Sequence, residues 1–272
     1  MGRRRVWSRD MRLAERSLRS LLFVPGDSER KQARAIIAGA DALILDLEDS
    51  VANAQLPAAR ARVAAMLRSH SNGPHVQLWV RVNALSSGLL LQDLVTVLGD
   101  QASPAGIVLP KVSRAAEIEE VAYYLAALEV AYGLTIGVTR LLVITTETAE
   151  GLLTLSQFPA QFRAMPRAVT QRVVGLSWGS EDLATSLGTR EKFDAQGVLT
   201  YPFQMARSIC QTSAAALRVQ PIDTVYVNLR DASGFERELA EARRDGFTGK
   251  LVIQIWGGGS VAGAAARQGF GA

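Results

Sequence analysis

The strongest constraint on the fold is an alternation that begins at Ser20. Eight short runs rich in Val, Ile and Leu take turns with longer amphipathic stretches. The predicted strands cover 20–24, 42–47, 77–82, 106–109, 140–146, 173–177, 224–227 and 250–255. Several are almost continuously apolar, as parallel strands buried on both faces are. The predicted helices cover 28–38, 58–69, 89–98, 114–132, 149–158, 203–217 and 234–244. Ser28 is placed to cap the first of them, and Gly39 and Gly133 are placed to stop two. Eight strands alternating with helices predict a parallel, eight-stranded (β/α)8 TIM barrel. A doubly wound open sheet is the alternative, but Phe23-Val24-Pro25-Gly26-Asp27-Ser28 does not supply its glycine fingerprint.

Charge and cysteine content narrow the class. Of 30 basic and 26 acidic residues, seven arginines and two acids fall in the first nineteen positions, which leaves 23 basic and 24 acidic beyond. The basic balance thus belongs to an Arg-rich leader, read as disordered over 1–18, and not to a nucleic-acid-binding face. No apolar core follows these arginines as in a secretory signal, and no run is long enough to cross a bilayer. The single Cys210 cannot form an internal disulfide, which fits a reducing, cytoplasmic setting. It lies in a helix of apolar periodicity and reads as core. The expected domain plan is the leader, one barrel over 19–256, and a Gly/Ala-rich tail over 257–272.

In a barrel, chemistry gathers where strands end. The second predicted strand ends in Asp46-Leu47-Glu48-Asp49, and the third ends around Arg81 and Asn83. Pro110-Lys111 follows the fourth, and Glu147 the fifth. Gly179-Ser180-Glu181-Asp182 follows the sixth, and Asn228, Arg230 and Asp231 the seventh. Any one of these is more simply a helix cap or a surface ion pair. Six converging on one end call for another reason. Converging carboxylates repel unless a cation or protons separate them. Hard oxygen donors with few histidines favour Mg2+ or Mn2+ over zinc. His70 and His75 fall at the opposite end and read as surface residues. Gly175-Leu176-Ser177-Trp178-Gly179 matches G-x-S-x-G, but no histidine follows it to complete a triad.

The same residues carry a resemblance. Arg19 to Gly26, Gly39 to Val51, Val80-Arg81-Val82-Asn83, Leu109-Pro110-Lys111, Glu147-Thr148-Ala149, Gly179 to Leu183 and Gly246 to Lys250 together resemble the HpcH/HpaI aldolase and citrate lyase beta-subunit-like family. The resemblance implies a (β/α)8 barrel assembled as a homo-oligomer, a trimer or hexamer. It implies that Glu147 and Asp182 ligate Mg2+, with Mn2+ as a substitute, and that Glu147 also meets the substrate. Arg81 matches the substrate-binding arginine. Glu48 and Asp49 match acidic residues beside the metal, and Lys111 a lysine at the mouth. These four form the expected catalytic set. The implied reaction is carbon–carbon cleavage of a hydroxyacyl thioester, such as citramalyl-CoA, malyl-CoA or a citryl thioester, on coenzyme A or an acyl carrier. A thioesterase or synthase on the same scaffold is a second possibility.

The end of the chain departs from the family pattern. Where a His-Pro pair and a Gln are usual, this sequence reads Gln254-Ile255-Trp256-Gly257-Gly258-Gly259-Ser260, with no acidic residue after Asp245. The expectation is a barrel with an incomplete C-terminal end, lacking its usual lid, that binds Mg2+ but turns over slowly or not at all. A non-catalytic or impaired binder of CoA esters is the alternative from a different class.

Overall fold

The computed structural model describes residues 18–70, 76–99 and 102–253. The strands are β1 (Ser20–Pro25), β2 (Ala42–Asp46), β3 (Gln77–Arg81), β4 (Gly106–Val112), β5 (Arg140–Thr145), β6 (Val173–Trp178), β7 (Gln220–Asp223) and β8 (Gly249–Val252). All neighbours pair in parallel, and β8 returns to β1 through Leu21 opposite Leu251, which closes the barrel. The expected TIM barrel is therefore the observed one.

Period-2 alternation divides the apolar side chains into two layers. Leu21, Ala42, Ile44, Trp79, Val108, Leu142, Ile144, Ile222 and Leu251 point inward and fill the barrel. Their chain neighbours, among them Leu22, Leu43, Leu45, Val80, Leu109 and Val143, point outward and pack under the helices. Each fully buried side chain of this kind contributes about 1.5–3 kcal/mol. Trp79 fits inside because β4 opens with Gly106, where a Cβ would lie 2.3 Å from the indole Cζ3.

The outer helices are α1 (Glu29–Ile36), α2 (Leu56–His70), α3 (Leu90–Leu98), α4 (Ala115–Ala131), α5 (Ala149–Thr154), α6 (Phe158–Ala164), α7 (Arg167–Thr170), α8 (Ser180–Leu187), α9 (Tyr201–Leu217) and α10 (Ala232–Arg244). Ser28 is the N-cap residue of α1 but makes no side-chain capping bond, and Gly39 and Gly133 take positive φ just beyond helix ends. The single helix predicted over 149–158 is interrupted by a 3-10 turn, Leu155–Gln157, after which α6 restarts with Pro159 in its first turn.

The seventh strand requires a correction. It lies at Gln220–Asp223, not at 224–227. The true strand reads as polar because its buried groups are paired across elements. Asp223 meets Lys250, Arg207 and the Trp178 indole N–H. The alternating stretch 224–227 that resembles a strand instead follows β7, and Val225 and Val227 line a cavity there. Asp231, read as a mouth residue, accepts the Gly234 N–H at 2.8 Å and caps α10. Cys210 is buried as expected, and burial pushes its thiol up to about 12, which keeps it unreactive. His70 is exposed at the end of α2. His75, the leader up to residue 17 and the tail over 257–272 lie outside the described residues.

Candidate active site

Strand parity builds the centre of the site. Asp46 follows Ile44 by two residues and Arg81 follows Trp79 by two, so both continue the inward-facing rows. Register sets them side by side on β2 and β3. A polar pair therefore sits on the apolar interior at the C-terminal mouth. Arg81 donates from Nε and Nη2 to the two oxygens of Asp46, each at 2.7 Å. Asp46 also accepts the backbone N–H groups of Glu48 and Ser50. The guanidinium stacks 4.7 Å above the Phe23 ring. Its Nη1 lies 3.0 Å from Glu48 Oε2 and 3.8 Å from Asp49 Oδ2.

Backbone shape places the next two groups. A register shift in β4 between Leu109 and Val112 puts Lys111 at φ 55°, and Thr146 at the end of β5 has φ 56°. Left-handed conformations at non-glycine residues are costly and concentrate at functional sites. Here the shift aims the Lys111 N–H at Glu147 Oε2, 2.5 Å away. The Lys111 ammonium meets Glu48 at 2.5 Å, Asp49 at 2.9 Å and Asp182 at 3.4 Å. Asp182 stands in the first turn of α8, where the helix N-terminus also favours a negative charge. Gly179 precedes it because a Cβ there would sit 2.6 Å from Glu147 Cγ and Oε1.

The six residues expected at the site, Glu48, Asp49, Arg81, Lys111, Glu147 and Asp182, are thus brought together. Asn83 is not among them. It is buried behind the mouth, donating to the Leu47 carbonyl and to Asp93, which also pairs with Arg60. Asp46, which the sequence groups only with the acidic run at the second strand's end, is the residue that fixes Arg81, and its parity with Ile44 marks it as inward-facing.

Electrostatics single out two carboxylates. Burial raises Glu48 to about 7, against the lowering effect of Arg81 and Lys111, while Asp49 raises it further. Burial, then the neighbouring charges of Asp182 and Glu48, hold Glu147 well above the usual carboxylate range. A buried carboxylate raised in this way gains from a cation. Among the described residues no three acidic, His or Cys side chains form a ready metal cage. Mg2+ does not need one, since it keeps several waters and takes one or two carboxylates. Glu147 and Asp182 are coupled carboxylates facing one cavity, and this oxygen-only pair fits Mg2+.

That cavity measures about 640 Å³ and is lined by Phe23, Asp46, Asp49, Arg81, Glu147 and Asp182, with Lys31 and Arg34 of α1 on its wall. Glu48 and Lys111 do not line it and act on it through their ion pairs.

Fold and mouth together define a TIM-barrel protein with an acidic–basic cluster at the ends of its strands, the usual place for catalysis in that fold. The family model for HpcH/HpaI aldolase/citrate lyase matches residues 19–254, and the chain belongs to that family. The chain is 32% identical over 239 residues to the mitochondrial citramalyl-CoA lyase of Rattus norvegicus, covering 86% of this chain and 67% of that protein. It is 32% identical over 235 residues to a (3S)-malyl-CoA thioesterase of Cereibacter sphaeroides, covering 86% and 72%. Among solved structures, the citrate lyase beta subunit from M. tuberculosis complexed with oxaloacetate and magnesium superposes with a TM-score of 0.73 at 26% identity, covering 93% of this chain and 96% of that one.

Proposed function

We propose that this protein is an Mg2+-dependent carbon–carbon lyase that cleaves a hydroxyacyl thioester of coenzyme A or an acyl carrier, such as citramalyl-CoA, malyl-CoA or a citryl thioester. The observation that carries the reading is the convergence of Arg81, Glu147 and Asp182 on one cavity at the barrel mouth. Glu147 and Asp182 would hold the ion, which supplies a Lewis acid for the substrate's hydroxyl and carboxylate oxygens.

Cleavage of a 3-hydroxyacyl thioester breaks the bond between the hydroxyl-bearing carbon and the carbon next to the thioester. The hydroxyl proton leaves, the alkoxide becomes a ketone or aldehyde, and the bonding pair moves onto the thioester as an enolate. That enolate then takes a proton at carbon. Arg81 is suited to the developing anion, because Asp46 fixes its plane and leaves the remaining N–H groups to bind carboxylate or enolate oxygen. After Asp46, Glu48 is the carboxylate nearest that guanidinium, with Asp49 beside it. A carboxylate near 7, as Glu48 is, can take up and return a proton at neutral pH. Lys111 keeps the two carboxylates together. Lys31 and Arg34 give the cavity wall the positive charge that a phosphate-bearing carrier needs.

The whole functional unit is read as one barrel domain over 19–256 acting as a homo-oligomer in the cytoplasm. No helix among the described residues is long and apolar enough to cross a membrane.

The test is product analysis. Purified protein is incubated with citramalyl-CoA or malyl-CoA, with and without Mg2+. The lyase reading expects acetyl-CoA with pyruvate or glyoxylate, and no product after chelation. Similarity to a malyl-CoA thioesterase favours hydrolysis as the second reading, in which free CoA thiol and the hydroxy acid appear instead. Absence of both product sets contradicts the enzyme reading and leaves the binder.

A further inference from the structure

Two of the cations at the mouth, Arg81 and Lys111, are held very differently. Arg81 is locked: its side chain is 11% exposed, Asp46 takes two of its N–H groups in a planar fork, and Phe23 covers one face. The Lys111 side chain is held through its ammonium alone among the described contacts. Its side chain is 25% exposed, and its contacts come from carboxylates on two separate segments, Glu48 and Asp49 after β2 and Asp182 in α8. A four-carbon stem with a point charge at its tip can move without disturbing the backbone.

One of those partners, Asp182, is also one of the two carboxylates that fit Mg2+, and the other, Glu147, accepts the backbone N–H of the same lysine. Lysine and divalent cation therefore draw on the same negative charge. We propose that Lys111 is an internal competitor for the divalent cation: its ammonium neutralises the Glu48–Asp49–Asp182 cluster when the metal is absent, and it must leave Asp182 when the metal binds.

This rests on the Mg2+ reading of Glu147 and Asp182 and adds a further role for Lys111. The device has two consequences. First, it sets the metal affinity below what the carboxylates alone would give, since a positive charge a few ångströms from the ion opposes it. Second, it couples metal occupancy to the strength of the Lys111 pairs with Glu48 and Asp49. With Asp182 given over to the metal, the ammonium keeps only the carboxylates beside Arg81.

The experiment is a calorimetric titration with Mg2+ alone, repeated with Mn2+ followed by electron paramagnetic resonance. It uses the full chain and its Lys111→Met, Lys111→Gln and Lys111→Arg variants at pH 8. Near-ultraviolet circular dichroism checks that each is folded. The two neutral variants should bind the cation about tenfold more tightly than wild type, as expected when a nearby like charge is removed. The Arg variant, which keeps the charge, should stay close to wild type. Two neutral replacements of different polarity guard against one failing to fold. Equal or weaker binding by the folded neutral variants overturns the proposal. If Glu147→Ala and Asp182→Ala lose the cation while Lys111→Met matches wild type, the metal reading stands and the competitor role falls. If none of the folded proteins binds either ion, both fall.

Discussion

Asp46 accepts from both Nε and Nη2 of Arg81 from a fully covered position, so its loss strips a buried guanidinium of its two shortest bonds and leaves it only Glu48 and Asp49. Asp46→Ala should destabilise the protein by about 3–5 kcal/mol, read as a lower urea midpoint at unchanged slope. Asp46→Asn keeps the shape and one acceptor and should cost less. A midpoint equal to wild type in the Ala variant would show that Glu48 alone can hold the arginine. Glu147 makes the second residue-level prediction. Burial, Asp182 and Glu48 raise its proton affinity, and metal binding requires the ionised form. Mg2+ should therefore displace a proton and bind more tightly as pH rises. Calorimetry in two buffers of different ionisation heat measures that proton, and equal heats in both would contradict it. At this scale the sequence was informative where a charged residue directly follows an apolar run, as at Arg81, Lys111 and Glu147. It was ambiguous in Asp46-Leu47-Glu48-Asp49, where three carboxylates crowd one strand end. Separating them needs strand parity and the cross-strand partner, and only the register of β2 against β3 provides the partner.

β3 and β4 show how one element constrains another. Gly106 leaves room for the Trp79 ring, and a Cβ there would also come within 2.7 Å of the Arg140 carbonyl. Gly106→Ala should lower stability by about 1–3 kcal/mol through overpacking, measured by chemical denaturation. An unchanged midpoint would mean that the barrel interior yields more easily than its packing implies. α4 ends on a buried carboxylate, Glu129, which joins Arg172 just before β6 and the N–H groups of Gly137 and Thr139. Burial by itself raises this group, but Arg172 and the two N–H groups outweigh it and hold the carboxyl at about 2. A folded value below the unfolded one stabilises the fold fully above about 4.5, and that contribution is lost as pH falls from there towards 2. The stability gap between wild type and Glu129→Gln should therefore narrow over that range, followed as melting temperature against pH. A gap that stays constant with pH would contradict the assignment. Most elements were legible because strands buried on both faces leave continuous apolar runs. β7 was not, because its Gln220 and Asp223 are buried polar residues satisfied by distant partners, and no local pattern encodes Lys250 or Arg207 as those partners.

The whole barrel explains why residues far apart in the chain meet. Parallel strands all end at one face, so the ends of β2, β3, β4 and β5 and the start of α8 deliver Glu48, Asp49, Arg81, Lys111, Glu147 and Asp182 to a single mouth. Eight apolar strands alternating with helices were enough to anticipate this convergence. Periodicity could not anticipate how the charges pair, since Lys111 reaches its carboxylates only through the register shift in β4 and a left-handed backbone. The central claim is that this mouth is a metal-dependent active site built on Glu147 and Asp182. Its most direct test is Mg2+ titration of the folded wild-type protein beside Glu147→Ala and Asp182→Ala. The account predicts binding by wild type and its loss in both variants; binding by both variants with wild-type affinity would contradict it.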